Sequence, residues 1–166
     1  MAVPNVTSNT DILKPGAAFK LATYNVRTLM QIGQQARLVR TLESLTIDVC
    51  CISETRIQDP SKLSSPSGSS SSMYHLLLSG DPAASASGVA GVGVALSARA
   101  EAALLDWIPI NSRLCAVRLE GYTKVRSSRP DTRCLFVVSA YAPTDCSPDA
   151  MKDEFYHQLN DLLRQA

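Results

Sequence analysis

Three residues of this chain could share one piece of chemistry: Asn25, Glu54 and Tyr141. Each stands where an apolar run gives way to polar residues. Asn25 closes Lys20-Leu21-Ala22-Thr23-Tyr24-Asn25, a short strand pattern. Glu54 follows Val49-Cys50-Cys51-Ile52 and Ser53, a run that suits a strand covered on both faces. At the carboxyl ends of neighbouring parallel strands, an amide and a carboxylate meet at one site. That pair suits magnesium, a hard ion that takes oxygen ligands, is satisfied by one or two carboxylates and keeps waters that a substrate phosphate displaces. Spacing alone favours a plainer reading: Asn25 caps the following turn, and Glu54 pairs with Arg56 at the surface. Tyr141 ends Leu135-Phe136-Val137-Val138-Ser139-Ala140-Tyr141, the strongest strand pattern in the chain. There a phenol donates to a phosphate oxygen while its ring stays packed, or simply lines a sheet rim.

The elements that must position these residues can be read from periodicity. Leu38, Val39, Leu42 and Leu45 recur at helical spacing, which predicts an amphipathic helix between the first two strands, with Gly33 near its start. Strand, helix and strand over this distance predict a parallel pair. Residues 59–72 are rich in Pro, Gly and Ser and read as a surface loop. Further strands are expected at Met73–Leu78, Gly91–Leu96 and Leu114–Leu119, a short helix at Ala100–Leu105, and a hairpin connection around Lys124–Thr132. Ser147-Pro148-Asp149 marks a helix start with Phe155, Leu159, Leu162 and Leu163 on its apolar face, and the chain is expected to end inside that helix. Residues 1–18 read as a loose leader.

The chain has 166 residues, 45% hydrophobic and 19% charged, enough for one ordinary core. A net charge of +1 provides no global field toward nucleic acid, so polyanion binding must come from local arginines or a cation. Neither a secretory signal nor a membrane-spanning run is visible, which makes Asn5-Val6-Thr7 a chance sequon and points to an intracellular protein of nucleus or cytoplasm. The five cysteines, Cys50, Cys51, Cys115, Cys134 and Cys146, are odd in number and mostly set in apolar runs. That pattern reads as reduced thiols. Adjacent Cys50 and Cys51 on a strand point to opposite faces and argue against zinc.

Taken together, the motifs resemble the endonuclease/exonuclease/phosphatase superfamily, which includes abasic-site endonucleases and pancreatic deoxyribonuclease. Leu21-Ala22-Thr23-Tyr24-Asn25-Val26-Arg27-Thr28-Leu29 resembles its opening motif, and Cys51-Ile52-Ser53-Glu54-Thr55-Arg56 its second. Gly91-Val92-Gly93-Val94-Ala95-Leu96 resembles the following core strand, and Val138-Ser139-Ala140-Tyr141-Ala142-Pro143-Thr144 the tyrosine motif. With Trp107-Ile108-Pro109-Ile110-Asn111-Ser112-Arg113, the details are most similar to endonuclease domains of non-LTR retrotransposons and to craniofacial-development-protein-like sequences. The resemblance covers residues 19–166.

What the resemblance implies is the N-terminal portion of a four-layer α/β sandwich, two β-sheets flanked by helices, that hydrolyses DNA phosphodiesters with Mg2+, or Mn2+ in its place. Glu54 is then the metal ligand and Asn25 sits beside it on the metal shell or the scissile phosphate. Tyr141 binds the phosphate, Arg113 is a further phosphate contact or a strand-edge charge, and His75 and His157 match no catalytic position. The family's Gly-Asp-Phe-Asn and Ser-Asp-His motifs do not occur here. The chain therefore holds the metal half of the arrangement without the base half, and inactivity alone is expected. The expected partners are DNA, no membrane, and a second copy through an exposed sheet face. The alternatives are a non-catalytic retroelement-derived remnant that serves as an interaction module, and a phosphatase of the same superfamily.

Overall fold

The fold, seen in a computed structural model, is described for residues 18–58, 61–66, 73–81, 90–123 and 131–166. Among the described residues, two sheets and three helices make a mixed α/β sandwich. The first sheet has strands β1 (Leu21–Asn25), β2 (Val49–Ser53), β3 (Ser61–Pro66), β4 (Met73–Ser79) and β5 (Val92–Ser97), in the order β1-β2-β5-β4-β3. The second has β6 (Leu104–Pro109), β7 (Leu114–Thr123) and β8 (Asp131–Ala140), in the order β6-β7-β8. The helices are α1 (Ile32–Ser44), the single turn α2 (Ala98–Ala102) and α3 (Asp149–Leu163).

β1 and β2 run parallel, joined by α1, with Asn25 opposite Ser53. The remaining described pairings are antiparallel. That register brings the ends of β1 and β2 level and fixes where Asn25 and Glu54 emerge.

Alternation along the strands builds two cores on either side of the first sheet. Between the sheets, Val49, Val94 and Leu96 meet Cys115, Val117, Leu119 and Val137. On the other side, Cys50, Ile52, Leu76 and Leu78 pack with Leu38, Val39 and Leu42 of α1. Cys50 and Cys51 thus face opposite cores, as their adjacency on a strand requires, and all five thiols are free. Outside the second sheet, α3 buries Phe155 and Leu162. It is tied on by Arg118, which donates to the Gln165 carbonyl, and by Asn111, which donates to Gln158 at 2.7 Å. The layers therefore run helix, sheet, sheet, helix.

Several expectations are corrected here. Residues 61–66 form a strand at the edge beside β4, with Leu63 packed on the α1 core and Lys62 exposed. The open edge of β4 recruits a segment whose own composition has no strand signal. The rest of the 59–72 stretch lies outside the described residues, as do residues 1–17 of the leader (with the sequon) and the 124–130 connection. The segment expected as helix to Leu105 turns at Ala103 and continues as β6, because Ser97 caps only a short turn and Leu104 onward pairs with β7. Leu45 lies past the end of α1 and is 56% exposed, and Leu163 is 51% exposed. Helix α3 runs to Leu163, with the Arg164 N–H bonded to the Asn160 carbonyl and the Gln165 N–H to the Leu162 carbonyl.

Among the described residues β8 has a strand on one side alone. A furrow of about 400 Å³ runs between it and β1, lined by Leu21, Thr23, Cys51, Val138 and Ala140 among others. No helix of the described residues is long and apolar enough to cross a membrane.

Candidate active site

Four backbone segments meet at the rim where β1 and β2 end. After β1 the chain continues one step beside β2, the Val26 N–H donating to the Ser53 carbonyl at 3.0 Å. It then turns sharply through Arg27, which has φ +60°. After β2 it turns through Glu54 at φ +59° and Arg56 at φ +60°. Left-handed backbone at non-glycine residues costs about 1–3 kcal/mol each and persists where surrounding structure enforces it. Here the enforcing contacts are visible. The Arg27 N–H donates to Asn25 Oδ1 at 3.0 Å, closing a turn on the asparagine side chain. Buried Thr55, between the two strained residues, donates its N–H to the Gly91 carbonyl at 3.0 Å and accepts the Leu29 N–H at 2.9 Å.

Glu54 is the centre of the arrangement. Its Oε1 accepts from Asn25 Nδ2 at 2.6 Å and from the Tyr141 hydroxyl at 3.0 Å. Its other oxygen, Oε2, takes no hydrogen bond from the described residues. The two donors, Asn25 foremost and then Tyr141, hold the carboxyl below its ordinary range, with the Arg56 and Arg27 charges adding to the effect. Burial first, then the bond to Glu54, pushes the Tyr141 phenol upward, so it keeps its proton as a donor.

The structure thus brings Asn25, Glu54 and Tyr141 together from strands far apart in sequence. Tyr141 lies one residue beyond β8. Its N–H donates to the Arg113 carbonyl at 2.8 Å. Arg113 in turn sits over the phenol ring, Cζ 5.4 Å from the centroid, and its Nη1 donates to the Tyr141 and Ala142 carbonyls at 3.2 and 3.4 Å. That geometry makes Arg113 a clamp on the tyrosine, with its donors turned largely to backbone. The plainer pairing of Glu54 with Arg56 does not form within salt-bridge distance, although the charge is felt. Neither histidine takes part: His75 is on β4, and His157 faces Asp161 on α3 at 3.4 Å.

Three supporting residues escaped the sequence reading: Thr55, Gly91 and Ser112. The Gly91 N–H donates to the Ser112 carbonyl at 2.9 Å, extending the run from Leu29 through Thr55 into the loop that carries Arg113. Gly91 has φ +123°, and a Cβ there would lie 2.3 Å from the Thr55 hydroxyl oxygen. A glycine opening an apolar strand is the one signal that could have flagged it.

The donor set can be tested for a cation on its own chemistry. A carboxylate oxygen without a partner, beside an amide oxygen that has one further lone pair, offers hard oxygen donors of the kind magnesium takes. Among the described residues there is no group of three or more His, Cys, Asp or Glu around a common point. This set therefore fits a site completed by water and substrate phosphate, and it does not fit a closed cage. No family model matches the chain, and no curated protein matches it.

Proposed function

We propose that this chain carries the metal-and-phosphate half of a magnesium-dependent phosphodiesterase site acting on DNA, in a domain of the endonuclease/exonuclease/phosphatase type. The observation that supports it most is the state of Glu54: ionised, oriented through one oxygen by Asn25 and Tyr141, and open at the other. Glu54 would hold the cation, which when bound supplies positive charge to the phosphate oxygens. Asn25 fixes the carboxylate and has its own oxygen turned to the Arg27 N–H, so its role is orientation first and ligation second. Tyr141 keeps its proton and presents a hydroxyl 3.0 Å from the same carboxylate, where it can turn to a phosphate oxygen. Arg113 holds the phenol in place from above.

Hydrolysis also needs a group to prepare water. No histidine or second carboxylate is bonded to the Glu54 cluster among the described residues. The 166-residue chain by itself is therefore expected to bind magnesium and leave DNA intact. Calorimetric titration should show a magnesium site that disappears in Glu54→Ala. A plasmid-nicking assay should show no cleavage above background. Magnesium binding unchanged by Glu54→Ala would sink the site assignment, and robust nicking would sink the half-site reading. The proposed setting is intracellular, nucleus or cytoplasm, where five free thiols stay reduced.

A further inference from the structure

The turn between β6 and β7 carries Arg113, and one half-buried side chain, that of Asn111, shapes it. Asn111 Oδ1 accepts the N–H groups of Arg113 and Leu114 at 2.8 and 3.0 Å, so both lone pairs of that oxygen are used. The Asn111 N–H donates to the Leu114 carbonyl at 3.1 Å, and its carbonyl accepts the hydroxyl of buried Ser79 on β4 at 2.8 Å. Its Nδ2 donates to Gln158 Oε1 on α3 at 2.7 Å. Asn111 is thus bonded at once to its own turn, to the first sheet and to the outer helix. The sense of its amide is set from α3. Gln158 Nε2 donates to Glu154 Oε1, one turn earlier on that helix. A carboxylate only accepts, so Gln158 gives its nitrogen to Glu154 and its oxygen to Asn111, which answers with its own nitrogen. The Asn111 oxygen is left for the turn. A reversed amide would set nitrogen against the Arg113 and Leu114 N–H groups, and Leu114 is fully buried, where an unmet donor is costly.

From this we infer that Asn111 is a positioning residue for the site: its side-chain oxygen fixes the turn from which Arg113 reaches the Tyr141 ring, and so holds the Tyr141 hydroxyl against Glu54. The path is short. Arg113 is held through its N–H by Asn111, and through its carbonyl it holds the Tyr141 N–H at 2.8 Å. Its guanidinium lies over the phenol ring, whose hydroxyl donates to Glu54 Oε1 at 3.0 Å. The hydrogen bonds of Asn111 go to neither Glu54 nor Tyr141, so it acts through Arg113. A residue that only filled space would need the shape of Asn111 and not its oxygen. The inference rests on the reading of the Glu54 cluster as a phosphodiester site, and it adds a residue that sets where the tyrosine of that site points.

The test is NMR spectroscopy of the whole labelled chain without metal. It follows the nuclear Overhauser cross-peaks between the Arg113 side chain and the Tyr141 ring, the ring being assigned through Tyr141→Phe. Asn111→Leu keeps the branched shape and removes both acceptor positions. The cross-peaks should be lost in this variant while the amide shifts of α1 and β4 stay those of the parent. Asn111→Asp keeps an oxygen facing both N–H groups and should retain the cross-peaks. Cross-peaks kept in folded Asn111→Leu overturn the inference. Should Asn111→Leu fail to fold, Asn111→Asp still decides, because cross-peaks lost there overturn the inference equally. The magnesium titration keeps the two readings apart. A parent chain that binds no magnesium sinks the reading of Glu54 and leaves the hold of Asn111 on Arg113 and Tyr141 standing. A magnesium site in a chain whose Arg113–Tyr141 contact is indifferent to Asn111→Leu overturns the role of Asn111 alone.

Discussion

At the scale of single residues, the site is built as much from backbone constraint as from side-chain chemistry. Arg27, Glu54 and Arg56 all occupy left-handed backbone, and Gly91 faces them across Thr55. Two substitutions probe this from opposite directions. Arg56→Gly removes the Cβ from a left-handed position and should stabilise the fold by about 1 kcal/mol. Gly91→Ala should destabilise it by about 2 kcal/mol or more, since φ +123° and a Cβ at 2.3 Å from Thr55 Oγ1 cannot both be relieved by a side-chain rotation. Urea midpoints of the two variants measure both. The sequence displayed Asn25, Glu54 and Tyr141 because polar residues at the ends of apolar runs are visible one segment at a time. Their supporting contacts were not visible. Thr55 to Gly91 and Arg113 to Tyr141 join residues that no local pattern connects, and a buried threonine between two charged neighbours looks like any surface threonine.

At the scale of elements, strong periodicity translated well and weak periodicity did not. β2, β4, β5 and β7 fall where apolar runs placed them, and β1-α1-β2 is the parallel unit that strand–helix–strand spacing predicts. β3 and β6 went unseen. One is polar and ordered by its neighbour β4, and the other has its alternation broken by a register irregularity between Leu104 and Asp106. Gly33, a weak helix former, sits in the first turn of α1 with open space around it. Gly33→Ala should therefore raise the thermal midpoint, by about 0.5–1 kcal/mol of stability, through the unfolded chain alone. A drop in the midpoint would mean that Gly33 carries a contact that the open surroundings do not reveal.

For the whole molecule, the two cores hold several groups whose neutral forms the fold requires. Burial, with the neighbouring Cys51 thiol, pushes the Cys50 thiol up to about 12. Burial first, then the charges of Asp48 and Glu43, pushes the Tyr74 phenol to about 12 as well, and burial drives Cys115 upward. Each group holds its proton more tightly folded than unfolded. Their contribution is thus fully present below the ordinary values of 9.0 for the thiols and 10.0 for the phenol, and it is lost as pH rises toward 12. Denaturation curves should show stability level near neutrality and falling above about pH 9, by up to about 1.4 kcal/mol per unit for each group. Stability flat to pH 11 or so would mean these sites admit water freely. The same burial predicts that Ellman's reagent reaches exposed Cys134 and Cys146 first and Cys50 and Cys115 on unfolding alone.

The run of amides from Leu29 to Thr55, Thr55 to Gly91 and Gly91 to Ser112 is a seam sewn across the ends of three strands into the loop before β7. Whatever opens one stitch loosens the rest, so the turn that shapes Glu54 and the loop that bears Arg113 cannot breathe separately. In deuterium these three amides should exchange as one group and at one rate. Protection of the site is then a property of the seam, shared between the two sheets, and belongs to none of the residues that would touch a substrate.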